Sequence, residues 1–449
     1  MIIPASGILR LVAATLIPAA LLYAVTPQFR PLLLFVPPLV GIVALADLLA
    51  LFRHRNQLSV TAPPRLSLIC GRSGQLGITI RAINQAANQS GLDLQVGLAL
   101  PTSFSSPFRE TRLKLAKGGD AVCLDWPLTG SQRGRFQVKQ CALRIASPFR
   151  LWQLQTRHTI STELRVYPNL RAERRRLASL FLERNDRQLQ AQRQRGQGRE
   201  FDRLRQYQTG DSLGDIHWKA TAKRRQLITK EYQIERTQEV YLLIDSSRLS
   251  GRPVPTAEGG SEPFLEQAVR TALILGSVAQ RQGDLFGVAA FGSRVQGFVR
   301  ANSGKIHFGH CRDLLYTVQP GEDSPSFGEL ATFMAARLRR RALLIFIAPL
   351  DEPALAEEFV RAIRILSRRH LICVAMPQPP TAAPLFSDAK LRSSDELYRH
   401  LAGHLTWHQL RELQQKLRLQ GIRLLLVKDE RLSADLVSHY LDVKRKQLL

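Results

Sequence analysis

The chain has 449 residues, with 63 Lys and Arg against 37 Asp and Glu, a formal net charge of +26. Its 45% hydrophobic and 22% charged content is globular; it excludes wholesale disorder and collagen-like repetition, and the length implies two or three domains. The five cysteines Cys70, Cys123, Cys141, Cys311 and Cys373 form no C-x-x-C pair, so neither a zinc ribbon nor a disulfide scaffold is indicated and a reducing compartment fits.

The N-terminal region has the composition of a membrane hairpin. No charged residue lies between Arg10 and Arg30, and between Arg30 and Arg53 only Asp47 is charged. Two apolar stretches, about residues 8–27 and 31–52, each approach the ~20 residues that cross the hydrocarbon core. The joining segment from Thr26 to Arg30 is short, which predicts a two-helix hairpin within residues 1–56. Arg10, Arg53 and Arg55 flank the outer ends, against Arg30 alone in the loop. The positive-inside rule therefore predicts that both ends, and everything after Phe52, are cytoplasmic, in a two-span protein of the inner (cytoplasmic) membrane. Asp47 is expected near the interface, without deep burial.

Residues 57–168 predict a small β-sandwich-like domain. Leu66–Cys70, Leu76–Ile80, Leu92–Leu98, Phe136–Gln140 and Leu164–Pro168 alternate or cluster apolar residues, separated by Gly, Pro, Ser and Asn. No acid, base and nucleophile cluster there. Residues 169–197 predict a linker helix, rich in Arg, Leu, Glu and Gln over Arg171–Gln194. The stretch Arg171–Arg205 is the densest basic region, yet Phe181 and Phe201 are its only aromatics. Single-strand nucleic-acid binders interleave stacking aromatics with their basic residues, so nucleic acid is not the expected partner. A basic surface beside anionic lipid fits the charge instead.

Residues 198–449 predict an α/β domain preceded by a distinctive segment. The apolar runs Val240–Asp245, Leu285–Phe291, Ala342–Ala348, Leu371–Ala375 and Ile422–Val427 alternate with helical patterns at Phe264–Gln280, Glu329–Arg340, Glu352–Ser367, Leu405–Leu419 and Ala434–Lys444. Near-continuous apolar strands separated by amphipathic helices indicate a doubly wound, mostly parallel sheet. Ligands bind such sheets at the carboxyl ends of strands, where Asp245 falls.

Several motifs admit two readings. Gly210-Asp-Ser-Leu-Gly214 matches G-x-S-x-G, but the preceding Arg205–Thr209 is a poor core strand for a nucleophile elbow. Ser212 is instead expected to cap a short helix, with Asp215 completing a capping box. His400, His404 and His408 share one helical face, a possible zinc face or a solvated stripe, and Gly403 weakens the helix there. Ser303-Gly-Lys305 lacks the upstream glycine of a phosphate-binding loop.

The segment 198–235, followed by Val240–Asp245, resembles the signature of the domain-of-unknown-function 58 (DUF58) family, G-x-E-F-x-x-L-R-x-Y-x-x-G-D-x-x-R-x-I-x-W-x-A-x-A-[KR]. Gly198, Glu200, Phe201, Leu204, Arg205, Tyr207, Gly210, Asp211, Ile216, Trp218, Ala220, Ala222 and Lys223 match, and Gly214 replaces the usual Arg. Arg133-Gly-Arg135, Ser147-Pro-Phe149 and Val166-Tyr-Pro168 agree with it. The resemblance implies a von Willebrand factor A-like C-terminal domain, which can carry a metal-ion-dependent adhesion site, D-x-S-x-S. Here Asp245 and Ser247 stand at the first two ligand positions, Leu249 replaces the second Ser, and Ala348-Pro349 stands where a Thr-Asp belongs, with Asp351 two residues on. Hard cations need such oxygens, so no cofactor is expected and Mg²⁺ only weakly at Asp245 and Ser247.

The resemblance further implies a membrane-anchored, non-enzymatic interaction or assembly protein. Its partners would be membrane lipid, a MoxR-type AAA+ ATPase served in a chaperone-like role, and other membrane proteins of the same complex. The alternatives are a membrane-tethered hydrolase built on Ser212, His217 and Asp211 or Asp215, and a basic nucleic-acid-binding membrane protein. The expected interaction residues are Glu200, Arg205, Tyr207, Gly210, Asp211, Trp218, Lys219 and Lys223. Gly210, Asp211 and Trp218 are expected to form a rigid turn and helix on the α/β domain, with Trp218 as buried anchor.

Overall fold

In a computed structural model, the structure describes residues 1–25, 30–52, 58–83, 92–115, 121–171, 173–175, 177–178, 200–209, 211–233, 238–256, 260–379, 381–384, 394–427 and 431–446. Met1–Tyr167 and Pro168–Leu449 are two compact units.

The first unit opens with a strand that the apolar pattern did not predict, β1 (Ile2–Pro4), followed by α1 (Ser6–Val25), α2 (Arg30–Leu33) and α3 (Val36–Phe52). The stretches Ser6–Val25 and Pro31–Phe52 are long and apolar enough to cross a membrane, and their side chains stay largely exposed, as in a membrane protein. Pro37 and Pro38 fall in the first turn of α3, where the missing N–H has no helical partner to lose.

Among the described residues, ten strands then make a β-sandwich: β1, β2 (Leu58–Thr61), β3 (Arg65–Ile69), β4 (Ser73–Ala82), β5 (Leu92–Leu98), β6 (Phe104–Ser105), β7 (Glu110–Leu115), β8 (Ala121–Gly130), β9 (Gly134–Ala146) and β10 (Trp152–Tyr167). One sheet has the order β1-β10-β9-β5-β7, with β3 also parallel to β10, and the other β2-β4-β8-β6. Alternation puts Leu76, Ile78, Ile80, Leu124, Trp126 and Leu128 of one sheet in a common core with Val96, Val138, Leu143, Ile145, Leu164 and Val166 of the other. Because β1 precedes α1 and β2 follows α3, both ends of the hairpin enter this one domain.

Asp47 corrects the sequence expectation. It is 1% exposed, and its carboxylate accepts the Ser147 hydroxyl at 2.5 Å and the backbone N–H groups of Phe149 at 3.1 Å and Leu151 at 3.3 Å. The Trp152 indole N–H donates to the Ala44 carbonyl at 2.9 Å. The charge is buried because the loop Ser147–Leu151 supplies the donors that water would have supplied.

In the second unit, residues 171, 173–175, 177 and 178 are helical; the rest of the predicted linker helix lies outside the described residues. Leu177 is buried in the α/β core and Glu173 pairs with Arg270 at 2.5 Å, so this first turn belongs to the domain it precedes. Next come β11 (Glu200–Gln206), α4 (Trp218–Arg224) and β12 (Ile228–Gln233), then β13 (Glu239–Asp245), β14 (Pro253–Pro255) and β15 (Ser261–Pro263). They are followed by α5 (Phe264–Arg281), β16 (Leu285–Phe291), β17 (Val295–Asn302), α6 (Lys305–Leu315), α7 (Phe327–Arg337), β18 (Ala342–Ile347), α8 (Pro353–Ser367), β19 (Leu371–Pro377), α9 (Ser394–Leu419), β20 (Arg423–Val427) and α10 (Leu432–Arg445).

The main sheet has the order β17-β16-β13-β18-β19-β20, parallel except for the antiparallel edge strand β17. This is the doubly wound, mostly parallel sheet expected. Val240, Leu242 and Ile244 of β13 pack under α5, α6 and α10, while Tyr241 and Leu243 face α7, α8 and α9. The edge strand β17 and helix α6 were not predicted, and α9 begins at Ser394 rather than at Leu405. Gly403 does not weaken α9: a Cβ there would stand 2.1 Å from the Thr381 carbonyl oxygen, so glycine admits close backbone approach.

Candidate interaction site on the signature segment

The signature segment folds as an antiparallel ribbon of β11 and β12, with Arg205 opposite Thr229 and Gln206 opposite Ile228. Its register shifts between Phe201 and Arg203. Glu200 lies at the ribbon's open end, opposite Gln233. At the closed end, Tyr207 N–H donates to the Leu227 carbonyl at 2.9 Å. The excursion between the strands carries a 3₁₀ turn, Leu213–Asp215, and α4.

Arg205 and Asp211 hold that excursion. The guanidinium meets the carboxylate in two parallel bonds, Nη1 to Oδ2 at 2.8 Å and Nη2 to Oδ1 at 2.6 Å. Asp211 Oδ2 also accepts the Gln208 N–H at 2.9 Å. A bidentate pair fixes orientation as well as distance, so the turn is rigid where the sequence placed it. Gly210 itself lies outside the described residues.

The anchor is Ile216, not Trp218. Ile216 is buried, bridges Thr229 across the ribbon and lies beside buried Ile228, whereas Trp218 is 66% exposed. Trp218 is the first residue of α4, and the inward position of this short turn is already taken two residues earlier. His217 caps α4: its Nδ1 accepts the Ala220 N–H at 3.0 Å, and its own N–H donates to the Ile228 carbonyl at 2.8 Å. Thr221 Oγ1 accepts the Ile228 N–H at 3.1 Å. Ser212 occupies the N-cap position of the 3₁₀ turn but makes no side-chain capping bond, which corrects the capping-box expectation. The Gly214 that replaces an arginine is exposed in that turn.

The result is a short helix with cations and large apolar groups in solvent. Trp218, Lys219, Lys223, Arg224 and Arg225 are all exposed, as are Leu213 and Leu227 on the flanking turns. His217 Nδ1 accepts the Ala220 N–H and Asp211 is engaged by Arg205.

At the carboxyl end of β13, Asp245 is fully buried. Its Oδ1 accepts the Ser247 N–H at 2.8 Å, while its Oδ2 has no hydrogen-bond partner among the described residues. Burial pushes its carboxyl up to about 6, against the Ser247 hydrogen bonds and the positive charge of Arg252, which pull it down. Ser247 Oγ accepts the Leu249 N–H at 3.3 Å, and the Leu249 side chain is buried. Asp351 faces a protein cation: Arg252 donates to Asp351 Oδ2 and to Glu352 Oε1, each at 2.6 Å. Around Asp245, Leu249 and Pro349 bring no side-chain oxygen and Asp351 meets the Arg252 guanidinium. Sequence reasoning missed Arg252. Its signal was the acidic pair Asp351-Glu352 directly after a central strand.

His400, His404 and His408 do lie on α9. His404 stacks on Trp407 with centroids 5.7 Å apart, and His408 Nδ1 stands 3.5 Å from Glu412.

The uncharacterized protein YeaD of Bacillus subtilis (strain 168) is 36% identical over 107 residues, a stretch covering 24% of this chain and 23% of that one; the chain thus matches about a quarter of that relative's length. Among solved structures, the conserved hypothetical protein BatB from Bacteroides thetaiotaomicron is 15% identical, with a TM-score of 0.30, over 46% of this chain and 99% of that one. An aerotolerance-related membrane protein from Bacteroides fragilis NCTC 9343 gives the same identity and TM-score over 46% and 98%. Residues 203–386, which hold most of the signature segment and five of the six strands of the main sheet, match the model of the family described as protein of unknown function DUF58.

Proposed function

We propose that the chain is a membrane-anchored, non-enzymatic interaction protein whose signature helix docks an acidic protein partner on the cytoplasmic side of the membrane. One observation carries the reading: Trp218 stands in solvent on the family's signature segment, beside Lys219 and Lys223. A large aromatic ringed by cations is the composition of an interface hot spot rather than of a solvated turn. Electrostatic complementarity would bring an acidic surface to it. A MoxR-type AAA+ ATPase is the partner class that the family resemblance implies, and a chaperone-like assembly role is the process.

Affinity purification of the full chain from detergent-solubilised membranes, with and without ATP, tests this. Wild type is expected to retain an ATPase. Trp218→Ala, and Lys219→Ala with Lys223→Ala, should each lose it at physiological salt with unchanged melting temperature. Normal retention by both variants would overturn the reading.

A further inference from the structure

The hairpin and the sandwich meet along the last two turns of α3, and those turns have two faces. Ala44, Asp47 and Leu51 meet the sandwich: Ala44 through the Trp152 indole, Asp47 through the Ser147–Leu151 turn, and Leu51 within the sandwich core. Leu45, Leu49 and Phe52 lie on the adjoining face at the same height and stay exposed. If these two turns stood in water, the apolar stretch left to cross the membrane, Pro31–Ala44, would reach only about 21 Å at 1.5 Å per residue, short of the ~30 Å hydrocarbon core. The other span begins at the same level: Ala5 N–H donates to the Leu151 carbonyl at 2.9 Å, directly before Ser6 opens α1. The turn Ser147–Trp152 therefore stands beside helix that the membrane needs.

Its backbone is built for that place. Ser147 N–H donates to the Trp152 carbonyl at 2.9 Å, Arg150 N–H to the Ser147 carbonyl at 2.9 Å, and Trp152 N–H to Ser147 Oγ at 3.0 Å. Phe149 and Leu151 donate to Asp47, and Pro148 has no N–H. Every N–H of the turn is thus bonded inside the protein, which backbone beside hydrocarbon requires and backbone in water does not. What the turn turns outward is Pro148 and Phe149, with Phe149 69% exposed. A phenylalanine held so openly is costly in water and favoured in an apolar medium.

We propose, on the reading of the chain as membrane-anchored, that the Ser147–Trp152 turn is a third membrane contact, in which Phe149 enters the boundary between phospholipid headgroups and acyl chains. The sandwich is then held to the bilayer by two spans and by its own turn. Asp47 has a second use in this arrangement: by taking two N–H groups it lets the turn approach hydrocarbon without unmet donors.

The test places the photo-crosslinking residue p-benzoylphenylalanine at Phe149, Leu21 or Ile69 of the full chain. Each protein is reconstituted in vesicles of phosphatidylcholine and phosphatidylglycerol, irradiated and read by mass spectrometry. Leu21 is exposed within the first span and reports the membrane. Ile69 is exposed and pairs with Tyr167 at the opposite end of β10, on the order of 45 Å along the strand from the turn. Positions 149 and 21 should carry phospholipid joined through an acyl chain, and position 69 at least tenfold less. Acyl adducts at 21 with none at 149, equal yields at 149 and 69, or a second copy of the chain captured at 149 in place of lipid would overturn the proposal and leave the membrane anchor standing. Lipid at neither 149 nor 21 would overturn both.

Discussion

Asp47, on the second membrane helix, accepts a 2.5 Å hydrogen bond from Ser147, at the turn between the two longest strands of the β-sandwich. The same carboxylate takes two backbone N–H groups of that turn. A charge within an apolar helix is costly unless it is paired, and here the loop of Ser147, Pro148 and Phe149 is the partner. This accounts physically for two features that the sequence shows apart: an isolated acid in a span, and the Ser147-Pro-Phe149 stretch between two strands.

Asp47→Leu should therefore destabilise the first unit even though it makes the span more apolar. Three donors lose one acceptor, and leaving buried donors unmet costs about 1–3 kcal/mol each where water does not replace the carboxylate. Limited proteolysis of the nanodisc-embedded chain should cut the Ser147–Trp152 turn several-fold faster. Ser147→Ala, which removes one donor and leaves the carboxylate two, should have a smaller effect. Equal resistance of wild type and Asp47→Leu would show that the carboxylate does not hold the turn.

The architecture was largely legible from the chain, because burial on both faces of a parallel sheet writes itself as uninterrupted apolar runs. Leu285–Phe291 was read to the residue. What escaped notice was set by partners distant in sequence. The three-residue strand Ile2–Pro4 is stabilised by pairing with Trp152–Leu154, and nothing local marks it. The strand Ala121–Gly130 contains Pro127, which argues against a central strand; it is tolerated because β6 reaches only Thr129 and Gly130, leaving Pro127 on an open stretch. In the signature segment the turn at Asp211 was legible from its residue types. The exchange of roles between Ile216 and Trp218 was not, since a tryptophan and an isoleucine two apart on an irregular turn carry no periodicity to say which faces inward.

That exchange makes a contrast. Ile216→Ala should lower the stability of the signature ribbon by roughly 2–4 kcal/mol, the cost of truncating a buried aliphatic side chain. Trp218→Ala should change stability by less than about 0.5 kcal/mol, as exposed positions do. Hydrogen exchange at the β11–β12 amides reports the difference directly: Ile216→Ala should speed it and Trp218→Ala should not. The reverse order would restore Trp218 as the anchor.

The carboxyl end of β13 should not take a divalent cation with useful affinity. Arg252 already supplies positive charge there, bound to Asp351 and Glu352, and Leu249 withholds an oxygen. Calorimetric titration of the full chain with Mg²⁺ and Mn²⁺ should show no sub-millimolar site. A site abolished by Asp245→Ala would refute this. Arg252→Ala should lower the melting temperature, since it removes the Asp351 ion pair and leaves Glu352 only the more distant Arg248 at 3.6 Å.

Topology is open to a simple check. Strands before and after the helical hairpin join one sandwich, so the two ends of the hairpin share a side of the membrane. The positive-inside rule, applied to Arg10, Arg53 and Arg55, predicts that this side is cytoplasmic. Alkaline phosphatase fused after Leu449 should be inactive, and a fluorescent cytoplasmic reporter at the same position should be bright. High phosphatase activity with a dark reporter would invert the orientation.

The last expectation concerns acid sensitivity of the α/β domain. His439, on α10, has its pKa lowered from the ordinary 6.5 to about 4 by burial, with Arg423 and Lys446 pushing the same way and Asp442 opposing. Arg423 Nη1 stands 3.2 Å from His439 Nδ1, and a guanidinium has only N–H groups to offer, so that ring nitrogen must accept and the ring is neutral. The sign follows from linkage. Between about 4 and 6.5 the unfolded chain binds a proton at this histidine that the folded chain refuses. The contribution is therefore intact above pH 6.5 and is lost as pH falls toward 4. Between pH 7 and pH 5 the loss should be roughly 1–2 kcal/mol. His439→Gln keeps a side-chain acceptor for Arg423 and has nothing to titrate, so the difference in stability between wild type and variant should shrink or change sign on acidification. Melting temperatures of both proteins measured at half-unit steps from pH 7.5 to pH 5 check this, and parallel curves would show that His439 titrates normally and that the Arg423 contact does not exclude its proton.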